Sequence, residues 1–300
     1  MTLRSKQFPD ELRVVRAGCK INFGLHVLGK RDDGYHDIET AILPVPWYDV
    51  LTFEPAEAFA FTSSDPRLPT DERNLCVKAY GLFGQVFGQV IPLRMHLEKH
   101  LPYGAGLGGG SSDAAAVLRI CARLAGAELD DARLVQLALR VGSDVPFFLK
   151  SVPSLATGRG ERLIPLTADD GSPFDFPWDI VIVTPDVHVD TALAYAGVEP
   201  NERSRVSLED ALRGNDPAVW RSSVVNDFES FVFATFPQIA RAKESLYGAG
   251  ALYASLSGSG SAVYGLFERG SAADMCIAVE ERGYSGWTGS LDRGAPFGFG

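Results

Sequence analysis

Little in this sequence binds metal, crosses a membrane or grips a polyanion. Its four cysteines, Cys19, Cys76, Cys121 and Cys276, are scattered, with no C-x-x-C pair and no histidine nearby at ligand spacing. That argues against a zinc site or a disulfide framework and fits thiols in a reducing cytoplasm. No run of about 18 apolar residues occurs, so no membrane span is expected. Residues 1–16 are polar, carry both charges and lack the apolar centre of a signal peptide. Basic residues are outnumbered 28 to 38, for a net charge of −10. This argues against broad nucleic-acid or anionic-membrane binding, though not against a nucleotide held by a local nest of N–H groups. There is no internal repeat or low-complexity block, and the glycine-rich tail 293–300 reads as frayed.

What is present fits a soluble enzyme. At 300 residues, 46% hydrophobic and 22% charged, the chain is long enough for two ordinary domains. The run Leu101 to Ala116 organises it. Five glycines fall within positions 104–110, followed by Ser111, Ser112 and Asp113, all good helix N-cap types. From Ala114 to Ala125, helical spacing puts Val117, Leu118, Cys121 and Leu124 on one stripe. A glycine loop feeding a helix N-terminus offers free N–H groups and the positive end of the helix dipole, a ready phosphate site.

The loop is not a Walker loop, because no Gly-Lys-Ser/Thr closes it. Gly104, Gly106 and Gly109 do match G-x-G-x-x-G. A dinucleotide site, however, expects a fully buried parallel strand before the loop, and Leu93–Glu98 alternates as a half-exposed antiparallel strand does.

Several further residues stand out. Cys19, Ile21, Phe23, Leu25 and Val27 alternate along one strand face, which places Lys20 and Asn22 together on the other. Taken by its type alone, Lys20 is a solvated strand lysine. Asp32-Asp33-Gly34 marks a hairpin, with Tyr35 and His36 just past its tip, suited either to a flat heterocycle or to packing the hairpin itself. Strands are expected at Ile38–Pro46 and Asp49–Glu54, an edge hairpin or loop over Ala56–Pro69, and helices at Asn74–Val86 and Asp130–Val141, the latter stopped by Gly142. Asp144 follows, as a partly buried acid or the cap of a short turn. A glycine turn at Ala156–Glu161, a strand at Trp178–Thr184, and helices from Asp190, over Leu208–Trp220, and from Asn226 to about Tyr247 come next. Strands at Ala251–Leu256 and Ala262–Phe267 flank Ser257–Ser261, read as an ordinary hairpin turn, and a last helix covers Ser271–Glu281. This alternation predicts an α+β sandwich.

Three stretches in order, Ala17–Asn22, Pro102–Ala116 and Leu256–Ala262, resemble the GHMP kinase superfamily of galactokinases, homoserine kinases and mevalonate kinases. Arg31–His36 and Gly142–Phe148 sharpen the likeness toward the branch acting on a cytidine diphosphate-linked methylerythritol in non-mevalonate isoprenoid synthesis. The resemblance spans nearly the whole chain. It implies a two-domain fold: a ribosomal S5 domain 2-like N-terminal domain (1–168), a ferredoxin-like C-terminal domain (169–300), and an active site in the cleft between them. It implies ATP phosphates on Pro102, Tyr103, Gly104, Ala105, Gly106, Leu107, Gly108, Gly109, Gly110, Ser111 and Ser112. Mg²⁺ is expected with the ATP, whose charge must be offset, and a hydroxyl of Ser111 or Ser112 is its expected protein ligand. Lys20 and Asp144 would be the catalytic pair. Asn22 would contact the sugar alcohol, and the cytosine would lie between Tyr35 and Tyr195 with hydrogen bonds from His36. It further implies a cytoplasmic monomer or homodimer with a small-molecule substrate and no nucleic-acid or membrane partner. Ser143 stands where many members have Ala, Tyr195 replaces a Phe, and Arg159 takes a turn position that is often apolar. The alternatives are another small-molecule GHMP kinase, a catalytically silent nucleotide-binding regulator on the same fold, and, from the glycine pattern alone, a dinucleotide oxidoreductase.

Overall fold

A computed structural model describes residues 8–291 except 90, 129–130, 169, 173, 175, 201–204, 281–283 and 285. The tail 293–300 lies outside the described residues. After a 3-10 turn at Asp10–Leu12, β1 (Val14–Lys30) and β2 (His36–Pro55) form one long antiparallel ribbon. Cys19, Ile21 and Phe23 are fully buried, as the alternation predicts. The opposite face is covered too. Lys20 and Asn22 are each 4% exposed, so Lys20 is not a solvated strand lysine. The two strands expected in the region of β2 are one. Gly18 pairs with Tyr48 and Cys19 with Val45, so Pro46 and Trp47 bulge out where proline has no amide for the ladder.

The segment Ala56–Pro69 is not an edge hairpin. Its β3 (Ala60–Ser63) runs parallel to β4 (Leu93–Glu98), which returns after helix α1 (Leu75–Phe87). Asn74 caps α1, its side chain accepting from the Cys76 N–H at 2.9 Å. β4 alternates strictly between buried and exposed residues, as its sequence predicts.

Helix α2 (Gly109–Ala125) starts five residues before the expected Ala114. Gly108 is its N-cap, and the first turn closes with Ser112 N–H donating to the Gly108 carbonyl at 2.9 Å. Ser111, Ser112 and Asp113 are therefore inside the helix and do not cap it. From Ala114 to Ala122 every residue of α2 is buried, which small alanine side chains permit by letting neighbouring chains come close. Burial of Leu118 and Ile120 contributes about 1.5–3 kcal/mol each. Around α2 lie α1, α3 (Ala132–Val141) and α4 (Val145–Lys150). Gly142 ends α3 in an extended conformation with φ −176°. β5 (Ser154–Gly158) and β6 (Arg162–Pro165) form a hairpin about the expected glycine turn, giving sheet order β3-β4-β2-β5-β6 with β1 also on β2.

The second sheet begins with β7 (Asp179–Val183), buried on both faces. Then come α5 (Thr191–Gly197), α6 (Leu208–Gly214), α7 (Pro217–Ser223), α8 (Phe228–Thr235) and α9 (Pro237–Gly248). Two expected helices are each broken in two, because proline supplies no N–H and disfavours helix in the residue before it. Pro237 separates α8 from α9, and Pro217, following Asn215 in the left-handed region at φ +48°, separates α6 from α7. β8 (Tyr253–Leu256), β9 (Val263–Phe267), α10 (Ala272–Glu280) and β10 (Gly286–Ser290) complete the chain. β10 was not expected: two glycines in five residues give a weak strand signal. The antiparallel order β10-β7-β9-β8 is that of a split β-α-β, ferredoxin-like sheet. Side chains from both sheets share one core cluster, in which Phe23 meets Trp220 at 5.1 Å and Tyr253 at 5.4 Å. Among the described residues no helix is long and apolar enough to cross a membrane.

Candidate active site

A cleft of about 820 Å³ opens over the β1–β2 ribbon. Its wall brings together Lys20, Asn22, Tyr35, His36, Asp144 and Tyr195, which come from four separate stretches of sequence. Gly106 and Gly108 reach it from the glycine loop, and Gly258 and Ser259 from the turn between β8 and β9.

Its floor is a hydrogen-bonded relay. Lys20 Nζ donates to Asn22 Oδ1 at 2.5 Å and to the Gly106 carbonyl at 2.7 Å. Asn22 Nδ2 donates to Thr40 Oγ1 at 3.0 Å, and Thr40 Oγ1 donates to the Gly24 carbonyl at 2.5 Å. Each group thus fixes the orientation of the next. Burial pulls the Lys20 pKa below its ordinary value, and the Asp144 carboxylate partly restores it. Asp144 stands at the start of α4 with no capping hydrogen bond, so its carboxylate is not spent on the turn. Burial and the charge of Asp144 together push the Tyr195 hydroxyl up to about 12.

The glycine loop is held from behind. Gly106 has φ +79°, and a β-carbon there would lie 2.1 Å from the Ser257 carbonyl oxygen, so only glycine fits. Ser257 Oγ donates to the Gly106 carbonyl at 3.1 Å, the Lys20 N–H to Leu107 O at 3.0 Å, and the Ala262 N–H to Ala105 O at 3.0 Å. Ser257–Ser261 is thus more than a hairpin turn. It braces the loop and is itself gripped by Asn226, whose Nδ2 donates to the Leu256 and Gly258 carbonyls, each at 2.9 Å. Ala105 and Leu107 turn into the core, and Tyr103 is 71% exposed. Ser112 is buried and its N–H is spent within the helix. The first-turn amides of Gly109, Gly110 and Ser111 precede the first intrahelical bond of α2, which is the geometry of an anion site.

Beneath that turn lies a buried ion cluster that the sequence reading missed. Lys99 Nζ donates to Asp49 Oδ2 and, at 2.9 Å, to Asp113 Oδ2. Asp49 Oδ1 also accepts the N–H groups of His100 at 2.6 Å and Leu101 at 2.8 Å. Burial pushes the Asp113 carboxyl up to about 8, against the pull of Lys99. The available signal was the burial of α2 itself: an acid on the inner face of an all-buried helix must find a cation.

At the other end of the cleft the rings pair differently from expectation. His36 stacks on Tyr195, centroids 4.8 Å apart and planes 15° apart, and Tyr195 meets the edge of Phe228 at 4.8 Å. Tyr35 is 52% exposed and lies under Arg159, whose guanidinium carbon is 4.6 Å from the ring centroid. Desolvation and nearby Lys30 lower the His36 pKa, which keeps its imidazole neutral at physiological pH.

A glycine loop capping a helix, braced by a second glycine turn, beside a buried lysine and a free carboxylate: this combination defines a small-molecule phosphotransferase. Family comparison agrees. Residues 74–151 match the GHMP kinases N terminal domain and 208–285 the GHMP kinases C terminal, and the chain belongs to the GHMP kinases. Within them it is similar to proteins named 4-diphosphocytidyl-2-C-methyl-D-erythritol kinase. That of Salinibacter ruber is 45% identical over 87% of this chain and 92% of its own. That of Solidesulfovibrio magneticus is 44% identical over 90% and 94%. A crystal structure of 4-(cytidine 5'-diphospho)-2C-methyl-D-erythritol kinase superposes with a TM-score of 0.78 at 34% identity, covering 94% of this chain and all of that one. Homoserine kinase from Cytophaga hutchinsonii shares the fold, with a TM-score of 0.65 at 17% identity over 96% of each chain.

Proposed function

We propose that this protein transfers the γ-phosphoryl group of ATP to the 2-hydroxyl of 4-diphosphocytidyl-2-C-methyl-D-erythritol, in the non-mevalonate route to isopentenyl diphosphate. The observation that carries this reading is the meeting of Lys20 and Asp144 with Tyr35, His36 and Tyr195 in one cleft. A reacting pair alone would serve any kinase of the superfamily. The ring cluster around a neutral imidazole suits a flat, hydrogen-bonding base such as cytosine. The division of labour proposed for residues 1–168 and 169–300 accords with the gap between the sheets, since β6 ends at Pro165 and β7 begins at Asp179.

Phosphoryl transfer asks the protein mainly for positioning and charge stabilisation. Asp144 takes the proton of the attacking hydroxyl as the new O–P bond forms and the bridging P–O bond to ADP breaks. Lys20, held by Asn22 and Gly106, offsets charge on the attacking oxygen and the transferring group. The amides at the start of α2 hold the phosphates. Among the described residues no group of three or more His, Cys, Asp or Glu side chains could hold a metal ion. Ser111, half-buried in the first turn of α2, is the side chain that would help hold an Mg²⁺ arriving with the nucleotide, whereas the Ser112 side chain is buried. Mg²⁺ would supply charge neutralisation on the phosphates.

The test is mass spectrometry of the product after incubation with ATP and the cytidylated methylerythritol. One phosphate is gained, and fragmentation places it on the 2-hydroxyl. Transfer instead to homoserine or mevalonate, or no transfer at all, would overturn the reading.

A further inference from the structure

The substrate proposed above carries a diphosphate between its base and its reacting hydroxyl, and placing that charge in the cleft of an acidic protein calls for a cation. Lys20, Lys30 and Arg159 line the cleft. The Lys20 ammonium is committed to Asn22 and Gly106 at the reacting end. Lys30 is exposed, at the end of β1. Arg159 is half-buried on the turn joining β5 to β6. Glu161 Oε2 accepts its backbone N–H at 2.5 Å, which pins the turn, and the Tyr35 ring supports its guanidinium from one side. Among the described residues no carboxylate lies within 4.0 Å of that guanidinium. Asp33, the acid whose pKa it helps to lower, is already bonded to Arg31 at 3.2 Å. A planar fork of N–H donors, supported by Tyr35 and with no carboxylate in contact among the described residues, lines the cleft beside the rings.

We propose that Arg159 reads the diphosphate of the substrate and so sets the preference of this cleft for a nucleoside diphosphate over the bare nucleoside. The proposal rests on the cytidylated substrate being the right one. A guanidinium binds phosphate through parallel charge-assisted hydrogen bonds, which a lysine gives less well and an aliphatic residue not at all. Tyr35 then acts as the rest on which the guanidinium lies, as well as a wall for the base.

The test measures equilibrium binding of cytidine, CMP and CDP by calorimetry to the wild-type protein and to the Arg159→Leu and Arg159→Lys variants, alongside the product assay above. Wild type binds CDP more tightly than cytidine by about 10-fold or more, the scale of a charge-assisted hydrogen bond. Arg159→Leu closes that gap while its cytidine affinity changes by less than about 3-fold, and Arg159→Lys keeps part of it. In the wild type, raising salt narrows the gap. An unchanged CDP-to-cytidine ratio in Arg159→Leu overturns the proposal. So does an equal loss for both ligands, which would make Arg159 only a prop for Tyr35. If wild type turns over the cytidylated substrate and the ratio does not move, this inference fails alone; if wild type does not turn it over, the functional reading fails.

Discussion

Lys20 Nζ and the carbonyl oxygen of Gly106 are joined by a 2.7 Å hydrogen bond across 86 residues of sequence. The ammonium proposed to serve the reacting hydroxyl is therefore also a strut of the phosphate loop. Positioning of the nucleotide and of the acceptor is coupled through one side chain.

That coupling has a pH signature. Burial lowers the Lys20 pKa, with Asp144 pulling the other way, and the protonated form is the one that works. Activity therefore falls on the alkaline side, at a pH below the ordinary lysine range. Lys20→Arg keeps its proton throughout, so whatever rate it retains loses its alkaline limb upward in pH. A profile of kcat/KM against pH for both proteins checks this, and identical alkaline limbs would count against it. For stability the sign is as follows: between the lowered folded value and the ordinary one the unfolded chain holds the extra proton, so this group's contribution to stability rises with pH there.

Gly106→Ala should damage both fold and nucleotide binding. The added methyl meets the Ser257 carbonyl at 2.1 Å, on a backbone at φ +79° that alanine resists. A loss of about 1–3 kcal/mol is expected from the backbone strain alone. Thermal unfolding and KM for ATP are the measurements, and both should worsen. Gly110→Ala is the control for the thermal unfolding alone, because a β-carbon there has nothing nearer than 3.7 Å in the protein.

Changes in the Lys99 cluster should be unequal. Lys99→Met leaves the buried carboxyl groups of Asp49 and Asp113 without the donor they share and should cost about 3–5 kcal/mol. Asp113→Asn should cost far less at pH 7. Burial pushes its carboxyl up toward the neutral acid that Asn imitates, and one oxygen already accepts no hydrogen bond among the described residues. Urea unfolding of the two variants decides it, and equal losses would mean that Asp113 is ionised.

Much of this was legible in the sequence, and what was not has physical causes. The alternation along β1 placed Lys20 beside Asn22, and the Asp-Gly signal placed Tyr35 and His36 near a hairpin tip. The start of α2 was misjudged because good capping residues lay inside a helix whose cap is a glycine in the left-handed region. The brace from Ser257 and the grip of Asn226 depend on contacts between distant segments, which no local pattern reports. The pairing of His36 with Tyr195, and of Tyr35 with Arg159, depends on side-chain directions at the meeting of three segments.

That ring arrangement gives a further expectation. Tyr195→Ala removes the partner of His36 and should raise KM for the cytidylated substrate by the equivalent of about 1–3 kcal/mol, the scale of base–aromatic stacking. Tyr195→Phe keeps both ring contacts and should stay near wild type. Steady-state kinetics distinguish the two, and a matching loss in Tyr195→Phe would assign the effect to the hydroxyl.

The bracing of the glycine loop also says when the protein becomes able to bind ATP during its own synthesis. Helix α2 and the loop before it are made early. Yet the loop takes its shape from Ser257, 151 residues beyond Gly106, and from Ala262. Contacts of such long sequence separation are the slow ones to form. A ribosome-bound chain ending before the β8–β9 turn carries every glycine of the nucleotide cradle and the support of Lys20 but not the brace from Ser257 and Ala262, so nucleotide binding arrives late in translation, with the strands that flank that turn.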